Sequence, residues 1–184
     1  QLATHEDAAM REAYKAQFGE ELSTDEASAT AEWVKRLAQN NPKVTRSDSD
    51  VGPIVGAAED KPPIGFLSAA IFRDAKADGY GMGICKEMKP WVGQLTPRVA
   101  VIATGTKSPN TAKLFARFMM TEEGMAPQLG DGKISTNVDA KMPESEASGI
   151  ANYVDQLYVN HSETTQDDFA KLQDWQDFWL TNSR

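Results

Sequence analysis

Residues 97–130 read PRVAVIATGTKSPNTAKLFARFMMTEEGMAPQLG, and the way this stretch folds decides how the rest of the chain is arranged. It opens at 98–103 with RVAVIA, an apolar run rich in β-branched residues and long enough for a buried strand. A polar turn containing Gly105 follows at 104–107. Ser108 or Asn110 can then cap a helix, with Pro109 where a first helical turn tolerates it. In that helix Phe115, Phe118 and Met119 fall at i, i+3 and i+4 with Ala112 beside them, so one side is apolar. Lys113, Ala116 and Arg117 lie off that side. Thr121, Glu122 and Glu123 begin a second, shorter helix, which Gly130 or the Asp131-Gly132 pair should stop. Strand, turn and two capped helices predict one α/β unit.

At 184 residues the chain can bury one good core or two small ones. Its 40% apolar and 25% charged residues are an ordinary globular balance. A net charge of −8 and a pI near 4.8 argue against a nucleic-acid surface, because phosphate binding needs the opposite sign. The apolar runs are far shorter than a bilayer span. A single cysteine, Cys85, excludes an intrachain disulfide framework and leaves the compartment open. The chain starts QLATHED, without Met and without a charged-then-apolar leader. A mature, trimmed or internal piece of a longer protein is therefore expected.

Upstream, Thr4, His5, Glu6 and Asp7 read as a helix start with acids in the first turn. Residues 8–18 continue that helix with Met10, Tyr14 and Phe18 as a narrow stripe, and Gly19 stops it. Ser23, Thr24, Asp25 and Glu26 form a capping box for a second helix that buries Trp33, Val34 and Leu37 and ends at Asn40-Asn41-Pro42. One strand fits at 43–46, a turn at 59–63 and a buried strand, IGFLSAA, at 64–70. After Gly130, residues 131–149 read as a long loop, 151–159 as a short helix and 166–180 as a final amphipathic helix. The glycines at 78–83 punctuate a loop, since no strand-to-helix context makes them a dinucleotide fingerprint. Cys85 has no catalytic histidine in a recognisable pattern, so a buried or incidental thiol is expected.

Two places carry candidate chemistry. Ser47, Asp48, Ser49 and Asp50 precede the helix-compatible run VGPIVGAAED, so Ser49 or Asp50 caps a helix, or the loop aims side-chain oxygens into a cleft. Carboxylates accept hydrogen bonds from sugar hydroxyls, whereas Asp48 and Asp50 would repel a phosphate beside them. Arg73, Asp74 and Lys76 are either a solvated helix face or a second binding group. In the latter case Asp74 takes a hydroxyl and the Arg73 guanidinium an anionic group. His5 and His161 stand far apart in the chain, and each is expected to be alone, so no metal cage is predicted.

The run VAVIATGTKSPNTAKLFARFMMTEEG also resembles a segment of bacterial ABC-transporter solute-binding proteins, in the branch of ferric-ion, thiamine and sugar-phosphate binders. The resemblance rests on Pro109, Asn110, Ala112, Lys113 and Phe115, then Thr121, Glu122, Glu123 and Gly124 in that order and spacing. It extends upstream through residues 33–65 and more weakly to the C-terminus. It implies an α/β, periplasmic-binding-protein-like (class II) two-lobed architecture, with this chain covering mainly the C-terminal lobe. Residues 1–96 would be the C-terminal-lobe segment, 97–140 a strand-helix segment returning to the N-terminal lobe, and 141–184 helices packing on the C-terminal lobe. Most of the N-terminal lobe would be missing, so a fragment is expected.

In ferric-ion members two adjacent tyrosines bind the metal at the end of the strand matching 64–70. Here Ala70 and Ile71 stand there, with Ser68, Arg73 and Asp74 close by, and none of the four tyrosines is adjacent to another. The resemblance therefore implies a non-enzymatic, cofactor-free periplasmic binding protein that hands a small polar or anionic solute, such as a sugar phosphate, to an ABC permease. Its ligand-binding residues would be Asp48, Ser49, Asp50, Ser68, Arg73 and Asp74, with no metal site. Ferric-ion transport and a ligand-sensing receptor domain of the same fold are the alternatives. Lacking half of the clamp, the chain is also expected to self-associate or to pair with an N-terminal-lobe fragment.

Overall fold

The computed structural model describes residues 2–57 and 60–183. About half of the chain is helical. Nine α-helices and two short strands are formed among the described residues. The first half holds α1 (Leu2–His5), α2 (Asp7–Phe18), α3 (Ala29–Gln39), α4 (Asp48–Gly56) and α5 (Ile71–Asp78). Then come β1 (Gly93–Leu95), α6 (Pro109–Met119), α7 (Glu122–Gly130), β2 (Leu157–Val159), α8 (Thr165–Ala170) and α9 (Leu172–Asn182). They fall into two compact units. The first is Gln1–Val44, Glu87–Thr96 and Gln156–Arg184, and the second is Thr45–Lys86 and Pro97–Asp155. Each unit draws on separated stretches of chain.

In the first unit α3 packs against α1, α2 and α9. Its start is secured twice: the Ser28 side chain accepts from the Ala31 N–H at 3.0 Å, and the Asp7 carboxylate of α2 accepts from the Ala29 N–H at 2.5 Å. Both satisfy donors that a helix leaves orphaned at its N-terminus. The helix thus begins later than the expected capping box, because the Thr24 hydroxyl is spent on the Glu32 carboxylate and on the Glu26 N–H. Its buried residues are Ala29, Thr30, Ala31 and Ala38, while Trp33 remains partly exposed. Small side chains let the neighbouring helices approach, so the alanine side became the core side instead of the tryptophan one. β1 and β2 run parallel with Gly93 opposite Leu157, and the Val92 N–H donates to the Gln156 carbonyl. Val92, Leu157 and Tyr158 are buried beside this pair.

In the second unit α4 packs on α5, and α6 on α7. A methyl at Gly56 would lie 2.0 Å from Tyr80 Cδ2, and one at Gly65 would lie 2.6 Å from a Val51 methyl. Only glycine lets the tyrosine ring and the 64–70 segment come this close to α4. α6 begins at Pro109 as expected, and α7 is capped by Thr121, whose hydroxyl accepts from the Gly124 N–H at 3.1 Å. Ile71, Ala75, Leu129 and Ala140 are its buried apolar residues.

None of the three expected strands is formed. Residues 43–46, 64–70 and 98–103 carry no strand assignment. At 64–70 the end of the run is diverted: the Ser68 N–H donates to Asp48, and Ser68 and Ala69 turn into α5. At 98–103 no described residue offers a ladder partner, and Val99 and Val101 are 82% and 84% exposed. A strand exists only where another backbone accepts its hydrogen bonds. The turn expected at 59–63 begins at Glu59, outside the described residues. Residues 151–159 divide into a short 3-10 helix, Ile150–Gln156, and β2, and the final helix is broken at Lys171 into α8 and α9.

Candidate functional site

All six expected ligand-binding residues belong to the second unit. α4 starts at Asp48 because the Ser47 hydroxyl accepts from the Ser49 N–H at 3.1 Å, so Ser47 is the cap, not Ser49 or Asp50. Asp48 Oδ2 accepts from the Ser68 N–H at 3.1 Å, which joins the start of α4 to the turn before α5. The Ser68 hydroxyl in turn accepts from the Ala70 N–H at 3.3 Å. One turn further along α5, Arg73 donates from Nε to Asp74 Oδ1 at 3.0 Å and from Nη1 to Asp131 Oδ1 at 2.7 Å. Asp74 first, then Asp131, holds the exposed Arg73 guanidinium above its ordinary pKa.

Asp48 is thus brought to Ser68, and Arg73 to Asp74. Ser49 and Asp50 stay exposed in the first turn of α4, and their side chains make no hydrogen bond to another described residue beyond it. Asp131 joins Arg73 unforeseen, since its only sequence signal was its place in the pair that stops α7. Chemically, the set offers carboxylate and hydroxyl acceptors plus one guanidinium fork engaged by two exchangeable surface partners. Two open grooves lie elsewhere. One, of about 370 Å³, is lined by Trp175, Gln176, Trp179 and Leu180, and another, of about 550 Å³, runs beside Phe118.

A second cluster, in the first unit, corrects the expectation that the two histidines stand alone. His5 Nε2 lies 3.0 Å from Asp168 Oδ1, and His161 Nε2 lies 3.3 Å from Glu6 Oε1, so adjacent residues 5 and 6 reach across to the C-terminal segment. The two rings meet edge-on with centroids 6.3 Å apart. Tyr158 packs edge-on against both Trp91 and His161. It is 3% exposed, and its hydroxyl has no hydrogen-bond partner among the described residues. Burial raises its pKa, and the nearby Glu6 and Asp168 add to the effect. Burial also works to raise the Asp168 carboxyl, but hydrogen bonds from Thr164 and His5 outweigh it and leave the group below its ordinary value. No local pattern could reveal this cluster, because its members lie at opposite ends of the chain.

Among the described residues no group of three or more His, Cys, Asp or Glu is arranged to hold a metal ion. Cys85 is an exposed free thiol, so of the two expected alternatives, buried or incidental, the buried one does not hold. No described helix is long and apolar enough to cross a membrane. No family model matches the chain, and neither a curated protein nor a solved structure shows significant similarity to it.

Proposed function

We propose that this chain is the solute-capturing part of a non-enzymatic binding protein that serves an ABC importer in the bacterial periplasm, and that its ligand is a small polar or anionic organic solute such as a sugar phosphate. The observation that carries the reading is that Asp48 accepts from the Ser68 N–H at the turn before α5, while Arg73, bound to Asp74 and Asp131, lies on that same helix. Among the described residues Arg73 is bound to Asp74 and Asp131, and its own guanidinium is exposed, so an incoming phosphate or carboxylate can exchange for one of these partners. Asp48, Asp50 and Ser49 supply acceptors for hydroxyls on the side of α4. The carboxylate and hydroxyl oxygens suit solute hydroxyls, and Arg73 suits an anionic group; the adjacent tyrosine pair of the ferric-ion binders is missing, and Tyr80, the tyrosine nearest α5 in sequence, is packed over α4 at Gly56.

Calorimetry with hexose phosphates is expected to give heat that Arg73→Ala weakens by roughly tenfold to a hundredfold, the usual loss for a charge-assisted hydrogen bond. Strong heat with ferric ion and none with hexose phosphates would assign the ligand to the metal class instead. Turnover in a broad hydrolase screen would replace the binding reading by an enzymatic one.

A further inference from the structure

Residues 97–121 hold Arg98, Lys107, Lys113 and Arg117 and no acidic residue, in a chain whose net charge is −8. All four cations are exposed, and none has an ion-pair partner among the described residues. Of the other described cations, Arg11, Lys15, Lys35, Arg36 and Arg73 each meet a carboxylate while Lys43, Lys86 and Lys171, among others, meet none on the described residues, so what sets residues 97–121 apart is the lack of any acidic residue along them. On α6 the apolar residues Leu114, Phe115 and Phe118 share one side and stay exposed, as does Met120 just beyond the helix. Lys113 and Arg117 occupy the remaining arc, with Arg117 three residues from Leu114. No residue of α6 is buried.

A helix with large aromatic and aliphatic side chains exposed on one side and lysine and arginine on the other has the make-up of an interfacial helix, even with α7 packed along part of it. From this we infer that α6, with the flanking Arg98 and Lys107, docks on an anionic lipid surface. Phe115, Phe118 and Leu114 enter the headgroup boundary, while the long cationic side chains reach phosphate groups beside it. Charge favours lipid over a second copy, because a two-fold pairing of this face with itself would set the same cations against one another, whereas anionic headgroups neutralise them. Glu122 and Glu123 oppose the docking: with Thr121 and Ala126 they line the groove beside Phe118. The inference is independent of the solute reading and survives its failure.

The test is cosedimentation of the whole chain with vesicles of phosphatidylcholine alone and of a phosphatidylglycerol-rich mixture. Binding to the anionic vesicles should exceed that to the neutral ones by about tenfold or more, given the attraction of each cation to the surface. It should fall steeply in about 1 M salt, where the screening length is about 3 Å. Phe115→Glu with Phe118→Glu should abolish it, Lys113→Glu with Arg117→Glu should lower it about thirtyfold or more, and Glu122→Gln with Glu123→Gln should raise it. Far-UV circular dichroism unchanged in all three variants shows that folding is not what altered binding. Absent binding, equal binding to both vesicles, or indifference to the phenylalanine substitutions overturns the inference. So does a dimer in sedimentation equilibrium that Phe115→Glu dissolves, since the face then belongs to a second copy.

Discussion

Helices α3 and α6 are each 11 residues long, and each carries apolar residues at helical spacing. α3 packs against α1, α2 and α9 and buries four residues; α6 packs on α7 and buries none among the described residues. The pattern that makes a helix amphipathic says which side would be buried, yet it supplies nothing to bury that side against. Even in α3 the side that is used is the small one, with Ala38 at 1% exposure and Trp33 left partly in solvent. The contrast is one of neighbours, not of propensity.

The contrast can be broken at its strong end first. Ala38→Asp places an uncompensated charge in the best-packed position of α3 and should cost about 3 kcal/mol or more. All four tryptophans, Trp33, Trp91, Trp175 and Trp179, lie in the first unit, so tryptophan fluorescence during urea unfolding reads this loss without interference from α6. A variant as stable as the parent would mean that α3 is not the core helix described here. Next in size is a gain: Tyr158→Phe removes a buried hydroxyl that has no partner among the described residues, and should raise stability by about 1–2 kcal/mol by the same fluorescence. Destabilisation on that substitution would show that the hydroxyl is satisfied after all.

A smaller loss is expected from Asp7→Asn, which weakens the link from α2 to the first N–H of α3 and should cost about 1 kcal/mol near neutral pH. The Ala29 N–H first, then Arg11, holds the Asp7 carboxyl below its ordinary value of 3.8. Its folded pKa being depressed, Asp7 stabilises the fold above pH 3.8 and loses that contribution as the pH falls through the folded value. The parent and the variant should therefore converge in acid, and a gap that persists or widens there would refute the assignment. At the weak end, Phe115→Ala in α6 exchanges one exposed side chain for another and should move the thermal midpoint by no more than about 0.5 kcal/mol equivalent, read by far-UV circular dichroism. A loss of core size would mean that α6 is covered in solution.

The candidate site divides in the same way. Asp48 and Asp50 in a helix-opening turn, and Arg73 beside Asp74 on a helix, were legible, because the features that place them lie within a few residues. That Asp48 closes on the Ser68 N–H and that Asp131 shares Arg73 were not, since those partners are 20 and 58 residues away. The histidine cluster is the extreme case, with 163 residues separating His5 from Asp168. Isolation in the sequence says nothing about isolation in space.

What the chain determined by itself is its local punctuation: Pro109 opening α6, Thr121 capping α7, Gly19 ending α2 with a positive φ of 75°, and a long irregular stretch after Gly130. Each acts between residues that are covalent near-neighbours, so each holds whatever surrounds it. The tertiary structure alone decided which apolar runs became strands and which amphipathic sides became core. RVAVIA, with the stronger β signal, pairs with nothing among the described residues, whereas the unremarked Gly93–Leu95 pairs with Leu157–Val159. A ladder and a core both need a second surface brought from elsewhere in the chain, and no local preference contains that surface.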